Sequence, residues 1–257
     1  MIDSHCHLEY MENPDEVIAE AKKRMAAVVT SVPNPDDFQR VFELHRRHPG
    51  FVFVATGFHA EYLERFNDRQ IGECIDVIRK NAGSIVSVGE VGLDYFWIKE
   101  REQQERSIVV FEKFIDLAAE LDKPLTIHCR NGTDDGISQT IEVLKRKNAR
   151  DVMMHCFSGS DENLQDCLGQ GWHISFATLV VRSRKHQRFA RATPLEKMLL
   201  ETDAPWLDPD SRELTNRPWK IERSAEVIAE LKGIAKEQVL KATEDNAKKF
   251  FRLEKYD

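Results

Sequence analysis

Short, nearly continuous apolar runs alternate with amphipathic stretches along the whole chain. The runs at residues 1–7, 27–32, 51–57, 85–90, 125–129, 152–156, 173–177 and 198–203 are rich in β-branched residues. Their length and composition suit parallel strands buried on both faces. Helical spacing fills the intervals. Asn13-Pro14 precedes Val17, Ile18, Ala21 and Met25, and Asn34-Pro35 precedes Phe38, Val41, Phe42 and His45. In each pair Asn suits an N-cap and Pro a first turn. Residues 102–122 carry Ile108, Phe111, Ile115, Ala118 and Leu121 at the same period, and Ser160 is placed to cap a helix through Leu164, Cys167 and Leu168. Two segments, 224–232 and 243–251, close the chain, with Thr243 as an N-cap; they are expected to cover the helix layer. A strand–helix unit repeated eight times in 257 residues predicts a single-domain (β/α)₈ TIM-type barrel over residues 1–257. An open doubly wound sheet is the alternative, but no glycine-rich phosphate loop follows the first strand.

Composition narrows the setting. The net charge of −7 excludes a bulk basic footprint for nucleic acid, so any phosphate contact must be local. The longest apolar stretch, near Phe51 to Phe58, is far below the roughly 20 residues that cross a bilayer. The first residues lack a basic flank and a long apolar segment, so no secretory signal is expected. Five scattered cysteines without a CxxC pair point to a reducing compartment, and a cytoplasmic location is expected.

The chemistry-bearing residues fall at predicted strand ends. His5 and His7 end the first, His59 follows the third, Glu90 ends the fourth, His128 the fifth, His155 the sixth and Asp203 the eighth. In a barrel these ends form one rim, where active sites lie. His5 and His7 share a strand face, as a common metal requires. Four imidazoles and two carboxylates suit Zn²⁺, Mn²⁺ or a related ion, and six donors exceed one tetrahedral site, so two divalent ions are expected. Taken singly, each histidine is equally well a hydrogen-bonded core residue; the shared placement is what points to metal.

Strand alternation turns Cys6, Cys129 and Cys156 toward the helices, as small buried hydrophobes. The same parity puts Asp3 with His5 and His7, and Glu201 with Asp203, as carboxylates behind the ligands. Basic residues gather after the seventh strand: Arg182, Arg184, Lys185, His186, Arg188 and Arg191. Arg130 follows His128-Cys129. A local basic rim in an acidic protein suits phosphate. Lys145-Arg146-Lys147 complements a helix C-terminus and carries no function.

Together these segments resemble the TatD family of metal-dependent DNases, within the amidohydrolase superfamily. The resemblance lies in Asp3-Ser4-His5-Cys6-His7-Leu8, Gly57-Phe58-His59, Gly89-Glu90-Val91-Gly92-Leu93-Asp94-Tyr95, Ile127-His128-Cys129-Arg130, His155-Cys156-Phe157-Ser158-Gly159 and Leu200-Glu201-Thr202-Asp203-Ala204-Pro205-Trp206-Leu207, with Thr243-Glu244-Asp245-Asn246-Ala247 in the tail. It implies a metal-dependent barrel with His5, His7, Glu90, His128, His155 and Asp203 as ligands and Glu90 bridging. It further implies hydrolysis of DNA phosphodiesters, often 3′ to 5′, with Mg²⁺, Mn²⁺ or Zn²⁺. Two positions depart from the family pattern: Ala60 replaces the usual Pro after Gly-x-His, and Asn216-Arg217-Pro218 replaces Asn-Glu-Pro, adding positive charge near the rim.

The expected enzyme is thus a two-metal phosphodiesterase. Asp203 would be the general base, with Glu90 between the ions. His59, Arg130 and Arg182 would hold the phosphate. A C–N or ester hydrolase on the same centre, such as an aminoacyl-tRNA deacylase, is the rival reading. A non-enzymatic metal-binding scaffold fits less well, since it has no need of an open metal site. Composition does not set the oligomeric state.

Overall fold

The computed structural model describes residues 1–253. Eight parallel strands follow one another around a (β/α)₈ barrel: β1 (Ile2–Cys6), β2 (Ala27–Val32), β3 (Val52–Phe58), β4 (Ser87–Asp94), β5 (Leu125–Arg130), β6 (Val152–Met154), β7 (His173–Phe176) and β8 (Met198–Leu200). The interleaved helices are α1 (Pro14–Ala21), α2 (Phe38–Arg47), α3 (Asp68–Lys80), α4 (Arg101–Glu120), α5 (Gly136–Arg146), α6 (Asp161–Gly169), α7 (Arg184–Ala192), α8 (Ile221–Lys232) and α9 (Lys236–Phe251). Side-chain alternation divides the core in two. Val28, Val52, Val54 and Val152 pack outward against the helices. Val29, Phe53, Ala55 and Met153 fill the barrel interior. A parallel sheet covered on both faces must be apolar on both, which is why its strands read as unbroken apolar runs.

Several expected details change. Ser160 forms its capping box with Asn163, but Asn13 takes a left-handed conformation and makes no side-chain cap. Thr243 lies within α9 instead of capping it: its hydroxyl donates to the Val239 carbonyl at 2.9 Å. The local Thr signal is overridden because the helix begins earlier, at Lys236, and buries Val239 and Thr243 on one face. The end of α9 does not cover the helix layer. Ala247, Phe250 and Phe251 join the interior cluster and plug the barrel beneath the strands' N-terminal ends.

Two register shifts matter most. β1 pairs Ile2 with Ala27 and Asp3 with Val28, then Cys6 with Thr30, so one extra residue lies between Asp3 and Cys6. β4 carries an extra residue against both neighbours, between Val88 and Val91 opposite β3 and between Gly89 and Val91 opposite β5. That residue is Glu90. Such bulges re-aim side chains beside active sites. Glycine makes the second one possible. A Cβ on Gly89 would fall 2.4 Å from the Thr126 carbonyl oxygen, and one on Gly92 would fall 1.8 Å from that of His128.

Candidate metal centre

The donors meet at the C-terminal rim. Those of β1 sit at its end, but β6 and β8 stop early, so His155 and Asp203 stand on the turns that follow. Asp203 adopts φ +56°. Its N–H donates to the His5 carbonyl at 3.0 Å, which fixes it beside β1. Glu90 is not at the end of β4 but in its bulge, aimed into the barrel mouth.

The geometry centres on Glu90. One carboxylate oxygen, Oε2, lies 3.5 Å from His5 Nε2 and 3.8 Å from His7 Nε2. The other, Oε1, lies 2.8 Å from His128 Nδ1 and 3.7 Å from His155 Nε2. Asp203 Oδ1 completes the first group, 3.6 Å from His5 Nε2 and 3.3 Å from His7 Nε2. Two donor sets thus share one carboxylate. Metal-compatible triads among the described residues are His5 with His7 and Asp203, Glu90 with His128 and His155, His5 with His155 and Glu201, and His59 with Asp94 and His128.

The donor chemistry fits divalent cations. His5 and His7 turn their Nε2 atoms toward one another at 3.1 Å, while Nδ1 of His5 is buried without a hydrogen-bond partner. Oε2 of Glu201 is likewise buried and unpartnered. Imidazole nitrogens and carboxylate oxygens converging in so small a space are matched by a cation between them.

Burial and neighbouring charges shift the imidazoles of the cluster in opposite directions. Burial pushes the His5 imidazole well down, and His155 pushes it further. Burial also disfavours charge on His155, but Glu201 and Glu90 lift it to about 9. The His5 and His155 rings stack at 3.7 Å. Burial lowers His7, and Asp203 and Glu9 reverse this to hold it well above its usual value. For His128 burial is overcome by Asp94 and Glu90, reaching about 10. Burial would raise Glu90, yet His155, His128 and His5 keep it well below the usual carboxylate range. Burial and His128 take His59 down to about 4.

Glu201, expected on the face of Asp203, stands behind His155: its Oε1 lies 2.8 Å from His155 Nδ1 and accepts the Cys156 N–H at 2.8 Å. Asp3 is a correction. The bulge in β1 leaves it paired with Val28, on the helix-facing side, and no imidazole nitrogen lies within ion-pair distance of it. Its carboxylate instead accepts from Thr202 and from the His5 N–H. Cys6 and Cys129 face the helices as expected, whereas Cys156 sits half-buried in the turn beside Glu201.

Of the phosphate candidates, His59 and Arg130 line the cavity, which measures about 350 Å³. The Glu61 N–H donates to His59 Nδ1 at 3.1 Å, so the ring proton of neutral His59 is on Nε2, 3.9 Å from Glu90 Oε1. Arg182 is not in the cavity wall; it donates to the Ser211 carbonyl at 3.1 Å. Lys185 donates to the Ser158 carbonyl and Arg188 pairs with Asp161, so much of the basic cluster is engaged locally.

Two carboxylates behind the ligands escaped the sequence reading. Glu9, two residues beyond His7, accepts from its Nδ1 at 3.2 Å and from the Thr30 hydroxyl at 3.2 Å. Asp94 Oδ2 lies 2.8 Å from His128 Nε2. Spacing of two and four residues from His7 and Glu90 was the available signal. Aromatic side chains also line the mouth, with Tyr10, Tyr62, Trp97 and Trp206 among them.

The family described as TatD related DNase matches residues 2–252. A human protein named deoxyribonuclease TATDN3 is 30% identical over 263 residues, covering 98% of this chain and 94% of its own. An uncharacterized metal-dependent hydrolase of Methanocaldococcus jannaschii is 33% identical over 254 residues, covering 98% and 96%. Among solved structures, YJJV, a TatD homolog of Escherichia coli, superposes with a TM-score of 0.85 at 24% identity over 98% of both chains, a likeness of fold.

Proposed function

Because the chain belongs to the TatD related DNase family of metal-dependent hydrolases, we propose that it cleaves DNA phosphodiester bonds at two divalent ions, removing nucleotides from the 3′ end. The observation that carries this reading is the division of Glu90, with Oε2 toward His5 and His7 and Oε1 toward His128 and His155. His5, His7, Glu90 and Asp203 would hold one ion, and Glu90, His128 and His155 the other. Zn²⁺, Mn²⁺ and Mg²⁺ are the candidates. When bound, the ions would supply Lewis-acid catalysis at the phosphate.

The side chains do the rest. Asp203 stands at the junction of β1 and β8 and takes the proton of the attacking water. His59 presents Nε2–H to a phosphate oxygen, its other nitrogen being occupied by the Glu61 N–H. Arg130, on the cavity wall, neutralises charge that grows on the phosphate. Glu9, Asp94 and Glu201 hold His7, His128 and His155 in the tautomer and orientation that face the cavity. The five unpaired cysteines support a reducing compartment, the cytoplasm, and no described helix is long and apolar enough to cross a membrane.

The test is turnover by metal-loaded protein on single-stranded DNA labelled at the 3′ or the 5′ end, beside an aminoacyl-tRNA. Early release of the 3′ label as mononucleotide supports the proposal. Cleavage of the aminoacyl ester alone would move the chain to the rival reading.

A further inference from the structure

Large exposed apolar side chains concentrate where the cavity opens. Tyr10, Phe96, Trp97 and Leu214 stand on rim loops, and among the described residues only Val77 and Val109 are exposed elsewhere. Phe96 and Trp97 are 44% and 55% exposed, whereas the preceding Tyr95 is 1% exposed. A polar loop would cost less at such a place, so the exposed rings need an explanation.

The backbone beneath them is tied down by hydrogen bonds. The N–H groups of Phe96 and Trp97 both donate to Asp94 Oδ1, at 2.9 and 3.2 Å. The other oxygen of Asp94 holds His128 Nε2 at 2.8 Å. Tyr95 anchors the turn through its hydroxyl, which donates to Gln139 Oε1 at 3.1 Å. Gly132 lies so close that a Cβ there would fall 1.8 Å from the Tyr95 carbonyl oxygen. The loop is therefore fixed at its backbone and open at its rings. One carboxylate sets both its height and the position of a metal-facing histidine.

The rings themselves are arranged for contact. They meet edge to face at 5.2 Å and 84°, so they do not stack on one another. The Arg130 guanidinium lies 3.9 Å from the Phe96 ring centroid. Trp97 and Arg130 line the same cavity as Glu90 and His128. A broad π-face, a cation and the metal cluster thus lie along one path.

We propose that Phe96 and Trp97 form a base-stacking shelf. It takes the unpaired nucleobase next to the phosphate that enters the cluster, the phosphate that Arg130 contacts. The inference rests on the nuclease reading above. Stacking on an indole is indifferent to base identity, since every base has a π-face, and it needs a base not already stacked in a duplex. The shelf therefore selects frayed or single-stranded ends without sequence preference.

The test is a binding cycle on wild-type protein with Mn²⁺ and a 5′-fluorescein oligonucleotide made hydrolysis-resistant by phosphorothioate linkages. The strand is used intact and with one abasic residue at each of its three 3′-terminal positions in turn. For wild type, one abasic position should weaken binding about tenfold, within the range for a single stacked base. Trp97→Ala should lose a similar factor on the intact strand and nothing further on that abasic strand, and Trp97→Phe should recover most of the loss. Equal binding of Trp97→Ala and wild type, or losses that multiply, would overturn the shelf. Cleavage of the ordinary phosphodiester strand is followed in parallel. No cleavage with an intact cycle removes the nuclease reading and leaves the shelf; cleavage with a broken cycle removes the shelf alone.

Discussion

The carboxylate of Asp3 accepts both the backbone N–H of Thr202, at 2.9 Å, and the Thr202 hydroxyl, across a separation of 199 residues. The contact sits on the seam where β8 returns to β1. Among the described residues that seam has no strand ladder; its backbone–backbone hydrogen bonds run from Asp203 N–H to the His5 carbonyl and from His7 N–H to the Ala204 carbonyl. Three candidate ligands, His5, His7 and Asp203, hang on the same seam. Asp3 thus ties β1 to the segment that carries Asp203.

Asp3→Ala should cost roughly 2–4 kcal/mol, since it leaves the buried N–H and hydroxyl of Thr202 without an acceptor. Urea unfolding of the metal-free protein measures this. Metal affinity should fall too, because the spacing of Asp203 and His5 is no longer held. A variant as stable as wild type would show that the seam closes without this carboxylate.

Metal-loaded protein should contain about two divalent ions per chain by elemental analysis, and Glu90→Ala should contain one or fewer. The loss should exceed that of any single histidine variant, since only Glu90 faces both donor sets. Retention of two ions in Glu90→Ala would rule out the bridge.

Asp203→Ala should lower turnover by at least 10²–10⁴-fold, the range for general-base removal alone, with circular dichroism unchanged. Near-normal turnover in a fully metal-loaded preparation would falsify its role.

Metal uptake should strengthen with rising pH. In the metal-free protein burial disfavours charge on His128 and His155, but Asp94 and Glu90 for the first, and Glu201 and Glu90 for the second, raise them to about 10 and about 9. Both values exceed the unfolded value of about 6.5. The stability these pairs contribute is complete below that pH and is lost as pH rises through about 9 and 10. At neutral pH an incoming cation must displace these protons. Titration calorimetry in two buffers of different ionisation enthalpy should show net proton release, and buffer-independent heats would contradict the assignment.

Arg130→Ala should reduce kcat, because Arg130 faces the cavity where charge develops. Arg182→Ala should leave both kcat and KM close to wild type, because its guanidinium is held at Ser211 outside the cavity wall. A large KM effect at Arg182 would show that the basic loop reaches substrate after all. The salt dependence of KM, measured on both variants, separates a phosphate contact from a solvated side chain.

Eight strand–helix units were legible in the sequence, because strand and helix periods are local properties of the chain, and they led to a barrel with His5, His7, His128 and His155 expected at one rim; the strand order came from the structure. Strand parity marked Glu201 as a carboxylate sharing a face with Asp203, but its contact with His155 comes from the turn beyond β8, which ends at Leu200. Parity failed where the strands bulge. One extra residue in β1 sent Asp3 to the helix side, and another in β4 turned Glu90 inward before its strand ends. Whether a strand bulges depends on what its neighbours press against it. At Gly89 and Gly92 the pressing atoms belong to β5, more than thirty residues further along the chain. The tertiary structure likewise decided that Asp94 meets His128, that Arg182 turns away to Ser211, and that Phe96 and Trp97 stand open beside the cavity. Each of these depends on distances between loops that no local pattern encodes, and closing the barrel is what brings those loops together.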